Sequence, residues 1–430
     1  MADRISSTAS DIRRRKLPGR RKQMSLKRVS RIAKGPIVSL AIVLGLASCS
    51  RDYVVGYVYM TTIGTIGTNP FPCGSRPGGP GLIDQFAIDY QSGALTEFGT
   101  PVAAGNCPVR LISAPNGKFI YVINQLDSTV QLFAVQGDGS LNSRAVYSIT
   151  GSLPTALAID PAGAFLYVTY TYQTHYSATS PGPGGVSIFP VNSDNSLGTP
   201  ANLNVGNNPV GVTVSYFNHF VYVLDQEPQP NKPMILGFSQ NPATGALTPL
   251  PKTNLTNMTG YAAGVVPSAI AEEPTSRFVY ITDQAQNQLV GYEVQASGDL
   301  VAMVNGPFQA GLFPINLTID PRGQLIYVVN YNSDTVEGYQ IDSATGTPSG
   351  AVGAFATAVG TGPTCVAIDP ALGVDLYVSN NLDNTVTGEQ LNPSTGGLTG
   401  VENSPFPSSG GPGCLTIVPN GSHATQAIQP

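Results

Sequence analysis

Charge is scarce in this sequence. Asp, Glu, Lys and Arg make up 11% of 430 residues, where an average soluble protein carries about 25%. Tryptophan is absent, and histidine occurs three times, at His175, His219 and His423. Beyond the N-terminus nothing shows the 3.6-residue apolar period of a long amphipathic helix. No apolar run reaches the ~20 residues that a membrane-spanning helix needs. There is no glycine-rich phosphate loop, no catalytic-triad signature and no cluster of carboxylates. These absences exclude a helical membrane span and the common nucleotide sites, and no metal or cofactor is expected. His219, in Asn218-His219-Phe220, reads as a turn residue, and His423 falls in the C-terminal tail.

What is present begins with a basic N-terminus. The segment 1–48 holds 12 of the 21 Lys and Arg and 2 of the 26 Asp and Glu, which leaves 9 basic and 24 acidic residues after it, a net −15. Nine scattered basic residues exclude a nucleic-acid partner, which needs them clustered. An apolar run, Pro36 to Ala47, follows the basic region and ends at Leu46-Ala47-Ser48-Cys49. Leu-Ala-Ser-Cys resembles the lipobox of bacterial lipoproteins, and the order of basic region, apolar run and box matches that of an export signal. The resemblance implies cleavage before Cys49, a lipid on Cys49, and an exported chain that meets the membrane through that lipid alone. Ser50 after the Cys implies outer-membrane sorting, facing periplasm or exterior. Met1 and Met24 both remain open as the start. The expected organisation is a signal segment 1–48, a folded domain 49–418 and a loose tail 419–430.

Glycine and proline, 48 and 36 residues, join with plentiful Tyr, Val and Thr to predict many short strands and tight turns. Self-similarity organises them. Each unit opens with a proline: Pro108, Pro154, Pro209, Pro267, Pro314, Pro363 and Pro412. Six openings are followed by a strand carrying a Tyr: Tyr121, Tyr167, Tyr222, Tyr280, Tyr327 and Tyr377. The spacing is 13 residues five times and 14 in the last, and units recur every 46 to 58 residues. A third strand, a turn such as Gly139-Ser140-Leu141 and a more polar fourth strand complete each unit. Four antiparallel strands at this period predict a propeller blade. The seventh unit stops after its first strand, and the N-terminus supplies three more: Tyr53 to Met60, Ile83 to Tyr90 and Leu95 to Phe98. The predicted fold is all-β, a seven-bladed propeller closed by one C-terminal and three N-terminal strands, which leaves no open edge between first and last blades. A monomer is expected.

The first strands alternate. The third position after each proline is bulky, from Leu111 to Leu415, and should pack between blades. The second is mostly small, but includes Arg110, Asn316, Cys365 and Cys414, which are expected at one level of the central tunnel. Cys365 and Cys414, in adjacent blades, form a disulfide, act as apolar fillers, or make a thiolate or metal site. Cys73 and Cys107 form a second candidate pair. The Asp residues of the Ile-Asp-Pro turns, Asp160, Asp320 and Asp369, are read as turn formers.

Tyr121-Val122-Ile123-Asn124, Tyr327-Val328-Val329-Asn330 and Tyr377-Val378-Ser379-Asn380 resemble the Tyr-Val-Thr-Asn propeller repeat over residues 52–418. Pro115-Asn116-Gly117-Lys118-Phe119 and the strand after it resemble the propeller lactonase family, which is 6-phosphogluconolactonase-like. The resemblance implies hydrolysis of a sugar lactone. The family reads Pro-Arg-His and Asn-Glu-Leu where this chain has Pro108-Val109-Arg110 and Asn124-Gln125-Leu126. Arg, His and Glu are therefore replaced by Val109, Arg110 and Gln125. A glutamine is no base and an arginine stays protonated, so the family's chemistry does not transfer to these positions.

The insertions 61–81, 170–185, 226–233 and 252–266 share one face with the tunnel mouth, where binding residues tend to sit. Candidate ligand residues are Arg110, Gln125, Asn316 and, in the Tyr170–Tyr176 insertion, Tyr170, Tyr172 and His175. Arg110 is the sole catalytic candidate. The leading expectation is a lipid-anchored envelope module that binds a sugar, a lactone or an envelope protein. The alternative is a sugar-lactone hydrolase with a rearranged site.

Overall fold

The computed structural model describes residues 54–63, 80–226, 232–350 and 356–421; the signal segment, Cys49, Cys73 and the tail from residue 422 lie outside them. Among the described residues no helix is long and apolar enough to cross a membrane. Seven antiparallel sheets form the seven blades, with strands ordered from the axis outward as in the sequence. Blade 1 comprises Pro108–Ser113, Phe119–Asn124, Thr129–Val135 and Leu141–Ser148. Blades 2 to 6 open at Pro154, Pro209, Pro267, Pro314 and Pro363. In blade 7 the innermost strand is Pro412–Pro419, followed outward by Val54–Thr62, Pro80–Asp89 and Leu95–Glu97. In blades 3 to 7 a further short segment also pairs with the third strand. In blade 4, for example, both Leu300–Ala302 and Phe308–Gln309 lie along Gln288–Val294.

The bulky third positions pack each blade on the one before it. Leu415 and Ile417 of blade 7 lie in one cluster with Tyr377 and Val386 of blade 6. Val366 lies with Tyr327 and Val329 of blade 5. Burying such a side chain contributes about 2 kcal/mol, and the arrangement repeats around the ring.

The repeated tyrosine supplies a polar joint. Each blade has one, and all seven are fully buried, the seventh being Tyr59. Each hydroxyl donates to a carbonyl in the turn between third and fourth strands of the next blade. Tyr121 bonds Asn195, Tyr167 bonds Gly245, Tyr222 bonds Gly298 and Tyr280 bonds Gly346. Tyr327 bonds Gly396 and Tyr377 bonds Gly93. The last, Tyr59 to Gly139 at 2.6 Å, returns to blade 1. All seven acceptor residues have positive φ, the conformation open to Gly and, less often, Asn.

The residue three after the tyrosine holds the loop that leads to the next opening proline. Asp283 accepts from the backbone N–H of Val265 and Val266 at 2.9 Å, and Asn124 accepts from Gly105 at 3.1 Å. The turn aspartates behave as expected. Asp320 accepts from Gln324 and Leu325 N–H, Asp160 from Ala164 and Phe165, and Asp369 from Ala371 and Leu372. The 14-residue spacing of blade 6 arises in this turn. Gly373 N–H reaches back four residues to Asp369, where Gly323 reaches back three to Asp320.

Candidate binding site at the tunnel mouth

A cavity of about 440 Å³ opens at the mouth of the central tunnel, on the face of the loops that follow second strands. That volume is in the range of small-molecule sites. Every blade contributes the residue directly after its opening proline: Val109, Thr155, Val210, Ser268, Ile315, Thr364 and Gly413. Between the proline and the second residue after it, the pairing of first and second strands slips by one, as at Pro108/Arg110 and Pro314/Asn316. The slip recurs at the same place in the other blades. Such a bulge leaves the extra residue out of the ladder and re-aims it, here toward the axis.

A second level comes from the ends of the second strands: Gln125, Gln226, Gln284, Asn381 and Ile63. These amides also join blades. Gln226 donates to Pro267 O at 2.8 Å, Asn381 to Pro412 O at 2.8 Å, and Gln125 to Pro154 O at 3.3 Å. The hydroxyls of the lining are engaged in the same way. Thr155 donates to Pro209 O at 2.6 Å, Ser268 to Pro314 O at 2.9 Å, and Thr364 to Gly413 O at 2.7 Å.

Arg110 is the one ionisable side chain among the described lining residues. It makes no ion pair among the described residues. Its Nη1 lies 3.6 Å from Cys414 Sγ, and burial lowers its pKa from the usual guanidinium value. A guanidinium nevertheless stays protonated. Among the described residues the cavity thus presents a cation without an ion-pair partner in a mainly apolar wall, and none of the described lining residues is a carboxylate, an imidazole or a free thiol. Cys414 is bonded to Cys365, Cα to Cα 5.0 Å apart, and this bridge ties blade 6 to blade 7 beside the cavity. Cys107 is also disulfide-bonded; Cys73, its expected partner, lies outside the described residues.

The three positions at which the sequence departs from the lactonase pattern, Val109, Arg110 and Gln125, meet in this lining. Arg110, Asn316, Cys365 and Cys414 hold equivalent places in the first strands of their blades, and Cys414 touches both Cys365 and Arg110, but the cavity takes only two of them. Arg110 and Cys414 line the cavity, whereas Asn316 and Cys365 are buried outside its lining. Asn316 Oδ1 instead accepts from Val366 N–H at 3.4 Å. Alternation counted from the proline misses the bulge, so it overlooked the residue that does face the axis.

The structure places the Tyr170–Tyr176 candidates away from the described lining. The second strand of blade 2 runs on to Gln173, paired with a first strand that begins at Gly151. Tyr170 occupies the place of Asn124 in blade 1. It is fully buried, bonds Asn202 through its hydroxyl, and its ring fills the space beside Gly151, where a Cβ would lie 2.2 Å from it. Tyr172 is half-buried in the strand and His175 is exposed at its tip, with φ of 80°. None of the three lines the cavity.

The family model described as lactonase, 7-bladed beta-propeller matches residues 62–215 and 231–368. The chain belongs to this lactonase family. Over 192 residues, 44% of this chain, it is 27% identical to a 6-phosphogluconolactonase of Pectobacterium carotovorum, and the match spans about half of that relative, 52% of its length. Among solved structures it is similar to a periplasmic gluconolactonase of Pseudomonas aeruginosa, with TM-score 0.65, 18% identity, and coverage of 84% of this chain and 99% of that one. It is also similar to a Bacteroides uniformis protein provisionally assigned as a 6-phosphogluconolactonase, with TM-score 0.67, 17% identity and coverage of 85% and 99%. At such identities the structural likenesses establish the propeller fold of this lactonase-family chain and leave its chemistry to its own residues.

Proposed function

We infer that this lactonase-family propeller is a binding module of the cell envelope, exported, held by a lipid on Cys49, and taking a small organic anion such as a sugar acid into its tunnel mouth. The observation that carries the reading is Arg110. Among the described residues it has no ion-pair partner, and the described part of the cavity wall holds no base. An anion is attracted there, and none of the described lining residues can activate water. The test is a thermal-shift titration of the purified protein with gluconate and 6-phosphogluconate. A shift that vanishes in Arg110→Met supports the reading, and no shift with either anion overturns it.

Family membership favours a second reading, hydrolysis of a sugar lactone. Arg110 would then stabilise the oxyanion as water adds to the carbonyl carbon and the ring C–O bond breaks, giving the aldonic acid. Opening of gluconolactone followed by NMR at mildly acid pH separates the two. A rate equal to buffer leaves the binding reading in place. A clear acceleration, lost in Arg110→Met, replaces it with catalysis.

A further inference from the structure

Among the described residues the lip of the cavity is apolar where a sugar site would be polar. Four large exposed hydrophobic residues are placed at it by the chain, each the sequence neighbour of a lining residue and none itself in the lining: Leu126 beside Gln125, Val265 beside Val266, Leu312 beside Phe313, and Leu382 beside Asn381. They are between 39% and 55% exposed. The wall below continues in the same character, with Val109, Val210, Ile315 and Phe313. Its hydroxyls and three of its amides already donate to backbone carbonyls of the neighbouring blade. A polyhydroxylated ligand would find few free partners, and each of its unmatched hydroxyls would be desolvated at a cost. An alkyl chain loses nothing on such a wall and covers the exposed lip.

We propose that the ligand is an amphipathic monoanion, an alkyl-chain hydroxy acid or the lactone it closes to, with its carboxylate on Arg110 and its chain on the apolar wall and lip. This rests on the anion-binding reading of the same cavity and names its substrate class. Charge complementarity selects the head group, since Arg110 is the one ionisable group among the described lining residues. The lip selects the tail. Its residues come from blades 1, 4, 5 and 6, so a chain leaving the mouth meets one on most sides.

The experiment is calorimetric titration of the purified protein with hexanoate, octanoate and decanoate below their aggregation limits, and with gluconate. A chain half-buried on the lip should tighten binding roughly twofold per methylene, or about fourfold per two-carbon step. Arg110→Met should abolish binding of the whole series. The double variant Leu312→Ser with Leu382→Ser alters exposed side chains, so it folds. It should flatten the chain-length dependence while hexanoate binds within about twofold of the parent. Affinity independent of chain length, or a slope unchanged in the lip variant, overturns the proposal. Gluconate binding without alkanoate binding overturns it too and leaves the anion-binding reading standing. Binding of neither overturns both.

Discussion

Tyr377→Phe isolates one joint of the ring. The change removes a single oxygen whose hydrogen bond to Gly93 O, 2.6 Å long, links blade 6 to blade 7. Donor and acceptor residues are both buried, so the carbonyl has no water to turn to. The ring itself still fills its place against Val386 and Leu415, so no cavity term enters. The cost is therefore that of a buried hydrogen bond, about 1–2 kcal/mol. Tyr222→Phe breaks the equivalent joint between blades 3 and 4 and should cost the same, although no chain end lies near it. The two joints share no partner, so the double variant should lose the sum within ~0.5 kcal/mol. Urea denaturation reads this as a lower midpoint with unchanged slope, and Tyr176→Phe, on an exposed residue, serves as the control with a change below ~0.5 kcal/mol. A loss below ~0.5 kcal/mol at both joints would refute the role assigned to the tyrosine ring. A loss at Tyr377 alone would mean that only the blade built from both chain ends depends on it.

Glu272 is a buried carboxyl between blades 3 and 4, at a position where blades 5, 6 and 7 carry Ile319, Ile368 and Ile417. Burial pushes its pKa up to about 8, against hydrogen bonds from Ser215 and Ser276 that lower it. The folded state therefore holds a proton that the unfolded chain releases near 4.5. The stability it contributes is complete below that value and is lost as pH rises through 8. The urea midpoint should fall between pH 5 and pH 9, and fall less in Glu272→Gln; an equal fall in both would remove Glu272 as the cause. Replacing Cys365 and Cys414 by Ser opens a loop of 49 residues and should cost about 2–4 kcal/mol, measured by urea midpoint under oxidising conditions. A loss under ~1 kcal/mol would mean that neighbouring inner strands hold without the bridge.

The architecture was legible because a propeller repeats its physical constraints. Each blade needs a proline to enter the inner strand, a tyrosine to reach the next blade, and a Gly or Asn with positive φ to receive it, so those residues recur at fixed spacing. The seventh tyrosine escaped notice because Tyr59 is followed by Met60-Thr61-Thr62 rather than Val-x-Asn, and its opening proline lies at the other end of the chain. The site was legible only in part. Arg110 and Gln125 stood out as departures from a family pattern and do line the cavity. Tyr170 looked like a ligand residue because it opened an insertion rich in aromatics that also holds His175; it is a buried residue at the position where five other blades have Asn or Asp. The residues after the opening prolines were missed because they vary in type, from Gly413 to Ile315, and no spacing rule announces a bulge. What they share is a backbone event, and side-chain pattern carries no trace of it.

The chain joins the ring on the side away from the cavity. Val54 starts the second strand of blade 7 at the face opposite the mouth, where Asn420 bonds Val54 O and Val55 O just past the last strand. Thr62, at the other end of that strand, is followed directly by Ile63 in the cavity lining. Val54, the first described residue of this strand, therefore lies at the back of the propeller. The loops around the opening can therefore vary without disturbing the end of the strand at which the described chain enters the ring.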